Sequence, residues 1–171
     1  HKAFAAQIGA VELCADPPPG DPAWHQLNLP TALAWSAQGE GDLGVRMARA
    51  TQRATASGEA VLLIGTDCPD LSAPLLQTAA QALATHDASI VPTFDGGYCL
   101  LGLQRFDPTL FESIPWSTQV VGALTQQRLV DLKWQVKVLP TLHDIDEPMD
   151  IQWLPAAWGY GGVPISREED L

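Results

Sequence analysis

The sequence predicts an α/β domain, a three-layer α/β/α sandwich with a mostly parallel sheet, and three observations carry that expectation. Short apolar runs alternate with helix-periodic segments along most of the chain. Ala60-Val61-Leu62-Leu63-Ile64 is apolar at every position, the pattern of a strand covered on both faces. Asp95-Gly96-Gly97 joins two apolar runs too closely for a helical crossover, so one antiparallel strand is expected.

The elements follow in order. Ala3 to Gly9 reads as the end of a helix with its glycine cap. Ala10 to Ala15 is a short strand. Asp16-Pro17-Pro18-Pro19-Gly20-Asp21-Pro22 is a loop, because three adjacent prolines remove donors and fix φ. Gln38 to Asp42 is a second loop, with Asp42 placed to cap a helix bearing Leu43, Met47, Ala50 and Ala54 on one face. After the Ala60–Ile64 strand, Ser72 caps a helix that tolerates Pro74 in its first turn and buries Leu75, Leu76, Ala79, Ala80 and Leu83. Ala88 to Val91 is a strand, and Tyr98 to Leu103 returns as its antiparallel partner. Ser117 or Thr118 caps a helix running to about Asp131. Trp134, Val136 and Val138 alternate with polar residues, as in a half-exposed strand. Asp144 to Asp150 is an acidic loop entering a short helix. Pro155 to Gly162 has no clear period and reads either as a packed tail or as a homodimer contact.

Composition narrows the function classes. With 46% hydrophobic and 17% charged residues the chain is globular, and 171 residues suffice for one domain with a core. No apolar run approaches the roughly 20 residues of a membrane span. The N-terminus also lacks the basic-then-apolar order of a secretory signal. A net charge of −11 argues against a nucleic-acid partner, which would need clustered Lys and Arg. It leaves room for a phosphate-bearing substrate screened by a divalent cation. Cys14, Cys68 and Cys99 are an odd set without metal-ligand spacing, read as reduced thiols of a cytoplasmic protein.

Four segments carry candidate chemistry. Open α/β sheets bind ligands beyond the carboxyl ends of their strands, which is where Gly65-Thr66-Asp67-Cys68-Pro69-Asp70 falls. Asp67 is a candidate hard-oxygen ligand for Mg²⁺ or Mn²⁺, and Asp70 a candidate for capping the next helix. His143-Asp144-Ile145-Asp146-Glu147-Pro148-Met149-Asp150 supplies two aspartates that point the same way if extended. One cation between Asp144 or Asp146 and Asp67 would join the two halves of a site. Asp95, Gly96 and Gly97 form either an ordinary hairpin turn or a ligand contact, with Asp95 binding a sugar hydroxyl or acting as a general base. Gly39-Glu40-Gly41-Asp42-Leu43-Gly44-Val45-Arg46 could cradle a phosphate, with Arg46 as its clamp, although it lacks the P-loop lysine. Arg46 reads equally as a surface arginine.

Taken in order, QGEGDLGVRM (38–47), LIGTDCPDL (63–71), PTFDGGYCLLGL (92–103), IPWST (114–118) and LPTLHDIDEPMD (139–150) resemble the DUF2064 proteins. These are glycosyltransferase-like members of the nucleotide-diphospho-sugar transferase (GT-A) superfamily. The resemblance implies a GT-A fold and a metal-dependent transfer of sugar from a nucleotide-diphospho-sugar to an acceptor. A nucleotidylyltransferase on the same fold, or a non-catalytic nucleotide-binding domain, are the alternatives. It implies metal contacts at Asp67 and at Asp146, alone or with Asp144, and an acceptor or sugar side lined by Asp95, Gly96, Gly97 and Tyr98, with Trp116 nearby. Gly39, Gly41, Asp42 and Arg46 would lie on the nucleotide side. Members of the family usually open with a strand and a loop of the type K-x-P-x-x-G-x-x-K-T-R-L. No such segment precedes Ala3, and the expectation is that it lies outside this numbering.

Overall fold

The computed structural model describes residues 1–155. Helix α1 (Lys2–Ala6) leads into strand β1 (Glu12–Ala15), which pairs in parallel with β2 (Ala34–Ala37). Helix α2 (Leu43–Thr55) follows, then β3 (Val61–Ile64), α3 (Ala73–Ala82), β4 (Ala88–Pro92), β5 (Tyr98–Leu103), α4 (Val121–Asp131) and β6 (Val136–Val138). The second sheet has the order β3-β5-β4-β6. Strand β5 runs antiparallel to β3 and β4, whereas β4 and β6 are parallel, so β3, β4 and β6 share one direction. One antiparallel strand therefore sits inside an otherwise parallel sheet, as the short Asp95-Gly96-Gly97 connection requires.

Two cores flank this sheet. Ala6 of α1 and Leu76 and Ala79 of α3 pack with Val91, Cys99 and Leu100 on one face. On the other, Leu129 of α4 packs with Ala88, Ile90, Leu101 and Leu103, and Met47 and Ala48 of α2 lie against them. Helices thus cover both faces, and the architecture is the three-layer α/β/α sandwich. Leu101 is 0% exposed in an interior strand. Leu101→Ala is expected to cost about 2–5 kcal/mol, read from urea denaturation, because the surrounding core cannot collapse onto the void.

Several local expectations are corrected. The α1 helix ends on Gln7 in the left-handed conformation (φ 52°) rather than on Gly9. Strand β2 has no counterpart in the sequence reading, since Ala34-Trp35-Ser36-Ala37 is too short and mixed to declare itself. Asp42 does cap α2, accepting from the Val45 N–H at 2.9 Å. The buried face of α2, however, centres on Gly44 and Thr51, while Leu43 and Ala54 are exposed. Ser72 caps α3 as expected. Neither Ser117 nor Thr118 caps α4: Thr118 donates its hydroxyl to the Pro115 carbonyl at 2.6 Å, and Val120 occupies the cap position. The backbone does the work instead, because the Gly122 N–H donates to the Gly96 carbonyl at 2.8 Å. Strand β3 is only partly buried, with Ile64 at 39% exposure, despite its unbroken apolar run. The reason is its place at the end of the strand order, with β5 as its one neighbour among the described residues. Most of the segment from Pro155 to Gly162 lies outside the described residues.

Candidate active site

Each acidic candidate follows the C-terminal end of a parallel strand. Asp67 lies three residues beyond β3, Asp95 three beyond β4, and Asp144 and Asp146 in the segment after β6. That is the edge at which open α/β sheets bind ligands.

Backbone bonds draw these segments together. The Phe94 N–H donates to the Leu142 carbonyl at 3.1 Å, and the Leu142 N–H to Pro92 at 3.0 Å, extending the β4–β6 pairing past its last ladder rung. The Ile145 N–H donates to the Asp67 carbonyl at 3.0 Å. The Cys68 thiol donates to the His143 carbonyl at 3.1 Å. Burial pushes that thiol up from its ordinary value, so Cys68 stays protonated and able to donate. Cys99, also buried, is raised by the same cause.

The result is a trio. One carboxylate oxygen from each of Asp95, Asp144 and Asp146 lies within 4.8 Å of the others. Asp67 stands outside this trio, but its charge acts on both Asp144 and Asp146. Its Oδ1 would lie 2.7 Å from a Cβ at position 65, so the glycine there leaves room for the carboxylate. Asp95 is held in place: its Oδ1 accepts from the Thr93 hydroxyl at 2.5 Å and from the Gly97 N–H at 2.9 Å. Asp150 accepts from the N–H groups of Asp146 at 3.1 Å and Glu147 at 2.8 Å, closing the acidic loop on itself.

The electrostatics are repulsive. Burial first, then the charges of Asp95, Asp146 and Asp67, raises the Asp144 carboxyl above its ordinary value. Asp146 is raised by burial and by Asp67, Asp95, Asp150 and Glu147. Two like charges 4 Å apart repel by roughly 1 kcal/mol even in bulk water. The ion pairs Arg46–Asp16, Arg53–Glu12 and Arg105–Asp87 all lie elsewhere. These carboxylates could hold a divalent cation, and carboxylate oxygens are ligands that hard cations such as Mg²⁺ and Mn²⁺ accept.

The other candidates are placed as follows. Gly39 and Gly41 take positive φ (74° and 106°), as a tight loop before α2 requires. Arg46 is engaged within the protein: it donates to the Gly41 carbonyl at 2.9 Å and to Gln38 at 3.0 Å, and pairs with Asp16 at 2.7 Å. Arg49, which the sequence reading passed over, donates to the carbonyls of Gln38 and Glu40. Its spacing of three from Arg46 puts both guanidinium groups over the same loop. Gly96 serves α4, since its carbonyl takes the Gly122 N–H and a Cβ there would lie 2.1 Å from the Gln119 carbonyl. Tyr98 turns its ring into the core beside α4, and burial pushes its phenol up to about 12. Trp116 lies over Gly44 at the start of α2, where a Cβ would meet its Nε1 at 2.4 Å. A groove of about 570 Å³ runs between α2 and Pro108–Ser113, lined by Asp42, Arg49 and Phe111 among others. Its lining contains Asp42 but none of Asp67, Asp95, Asp144 and Asp146.

A family model described as an uncharacterized protein conserved in bacteria (DUF2064) matches residues 1–118. The chain belongs to the DUF2064 family. No curated protein matches it. A crystal structure of a "putative nucleotide-diphospho-sugar transferase" from Desulfovibrio desulfuricans G20 is 35% identical, with a TM-score of 0.72 over 81% of this chain. This DUF2064 chain spans 62% of that protein's length. No helix among the described residues is long and apolar enough to cross a membrane.

Proposed function

We propose that this protein transfers a sugar from a nucleotide-diphospho-sugar to an acceptor still to be identified, with Mg²⁺ or Mn²⁺ at the acidic trio. The observation that carries this reading is the meeting of Asp95, Asp144 and Asp146 at the carboxyl edge of the parallel strands, with Asp67 beside them. The solved relative of the same fold supports it. Asp95, Asp144 and Asp146 would hold the cation, and Asp67 would reach it or its waters from the β3 side. A bound cation would supply neutralising charge for the departing nucleoside diphosphate. Thr93 and the Gly97 N–H fix the Asp95 carboxylate, so its orientation is set before substrate arrives.

We further read residues 1–171 as belonging to one domain of this fold. Among the described residues β1, β2, β3 and β6 each pair on one side only. A further strand between β1 and β3 would join the two sheets and cover both edges, and the K-x-P-x-x-G-x-x-K-T-R-L loop that the family resemblance implies would follow it.

The test is titration of the full-length protein with Mn²⁺ and a panel of nucleotide sugars, followed by product analysis. Release of a nucleoside diphosphate, lost in Asp146→Ala and Asp67→Ala, is the expected result. Pyrophosphate release from CTP or GTP would instead identify a nucleotidylyltransferase. Absence of both metal and nucleotide binding would overturn the catalytic reading.

A further inference from the structure

Three aromatic rings stand in one column beside the acidic trio. Phe94 stacks on His143 with ring centroids 4.2 Å apart and planes 24° from parallel. His143 stacks on Trp153 at 3.9 Å and 5°. Each ring is coupled to a different part of the trio. Phe94 is the residue before Asp95, and His143 the residue before Asp144. Trp153 ends the 3-10 helix Pro148–Trp153, whose Asp150 holds the backbone of Asp146.

We propose that this column is a clamp that sets the spacing of the metal-binding carboxylates, with His143 as its positioning residue. The inference rests on the metal-dependent reading above. The trio spans two segments whose charges push them apart, and the column spans the same two segments. Backbone bonds join them on one side only, at Pro92, Phe94 and Leu142. Those bonds fix the strands, and the turn beyond Phe94 is closed by its own bonds (Thr93 N–H to Gly97, Gly96 N–H to Thr93), none of which reaches the Asp144 segment. A flat ring between two others opposes separation without itself engaging any carboxylate oxygen. Phe94 is 64% exposed and Trp153 44% exposed, so neither ring is placed by core burial. Both pack on the imidazole between them.

Two measurements on the protein test the clamp. In metal-free protein, amide hydrogen exchange is compared between wild type, His143→Ala and His143→Phe. The Ala variant is expected to exchange about tenfold faster at Phe94, Ile145 and Asp146, with the amides of β5 unchanged, as for loss of one aromatic contact. The Phe variant, which keeps a flat ring, is expected to restore protection. Calorimetric titration with Mn²⁺ is expected to show about tenfold weaker binding in the Ala variant and near wild-type binding in the Phe variant. Unchanged exchange in His143→Ala, or equal Mn²⁺ affinity in a folded Ala variant, overturns the proposal. If wild type takes up no Mn²⁺ but the exchange pattern appears, the metal reading fails and the clamp stands as a device that orders these two loops.

Discussion

Asp144→Asn is expected to make the metal-free protein more stable at neutral pH while removing its Mn²⁺ binding. The two effects have one cause. A carboxyl whose proton affinity is raised by folding holds its proton more tightly in the native state than in the unfolded chain. Between the ordinary aspartate value and the raised one, the native state therefore carries more protons. Stability falls as pH rises through that window and stays lower above it. Asp144 and Asp146 are both raised, so at neutral pH the trio costs stability. Removing one charge relieves repulsion of roughly 1 kcal/mol for each close neighbour, and each kcal/mol is about 2–4 °C in Tm for a domain of this size. The gain should shrink as the pH is lowered toward the ordinary aspartate range. Adding Mn²⁺ should reverse the ranking: saturating metal at about 100 times Kd stabilises wild type by about 2.7 kcal/mol and leaves the variant unmoved. Thermal denaturation across pH, with and without Mn²⁺, reads all of this. A variant less stable than wild type in the absence of metal would mean that the three carboxylates do not repel as their placement implies.

Gly96→Ala is expected to unfold the turn that carries Asp95. Gly96 has φ of +95°, which costs an L-residue roughly 1–2 kcal/mol. The added Cβ would also lie 2.1 Å from the Gln119 carbonyl and 2.8 Å from its carbon, both backbone atoms that cannot rotate away. Together these give a loss of about 3–5 kcal/mol, or on the order of 10 °C in Tm. Gly58→Ala is the control. Gly58 also has positive φ, at +82°, but nothing lies within 4 Å of an added Cβ. It should lose only the conformational part, about 1 kcal/mol. Equal losses at the two positions would show that the packing of α4 on the Gly96 turn contributes little. Because the same turn orients Asp95, the Gly96 variant should also bind Mn²⁺ weakly under conditions where it remains folded.

The expected layers, the antiparallel strand and the caps at Asp42 and Ser72 were all legible in the residues, for a common reason. Each depends on neighbours a few positions away: a glycine pair too short for a crossover, a side-chain oxygen reaching the third N–H of a helix, an apolar run with its turn. The cap of α4 was not legible, because its acceptor is the Gly96 carbonyl, 26 positions before Gly122. Likewise the partial burial of β3 depends on its rank in the sheet, which no local pattern reports.

The site divides along the same line. By itself the sequence determined that Asp67, Asp95, Asp144 and Asp146 each follow the end of a strand, since strand pattern and acidic residue lie within a few positions of each other. Only the tertiary structure decided how they group. It drew Asp95 to Asp144 and Asp146 and left Asp67 to one side, because β4 and β6 are adjacent while β3 lies beyond β5. It turned Arg46 toward Asp16, Gln38 and Gly41, and the Tyr98 ring into the core. It also stacked Phe94, His143 and Trp153 into one column. Sequence spacing carries a strand's direction and its ending. Which strand ends stand side by side is set by sheet order, and sheet order is fixed by packing across the whole domain.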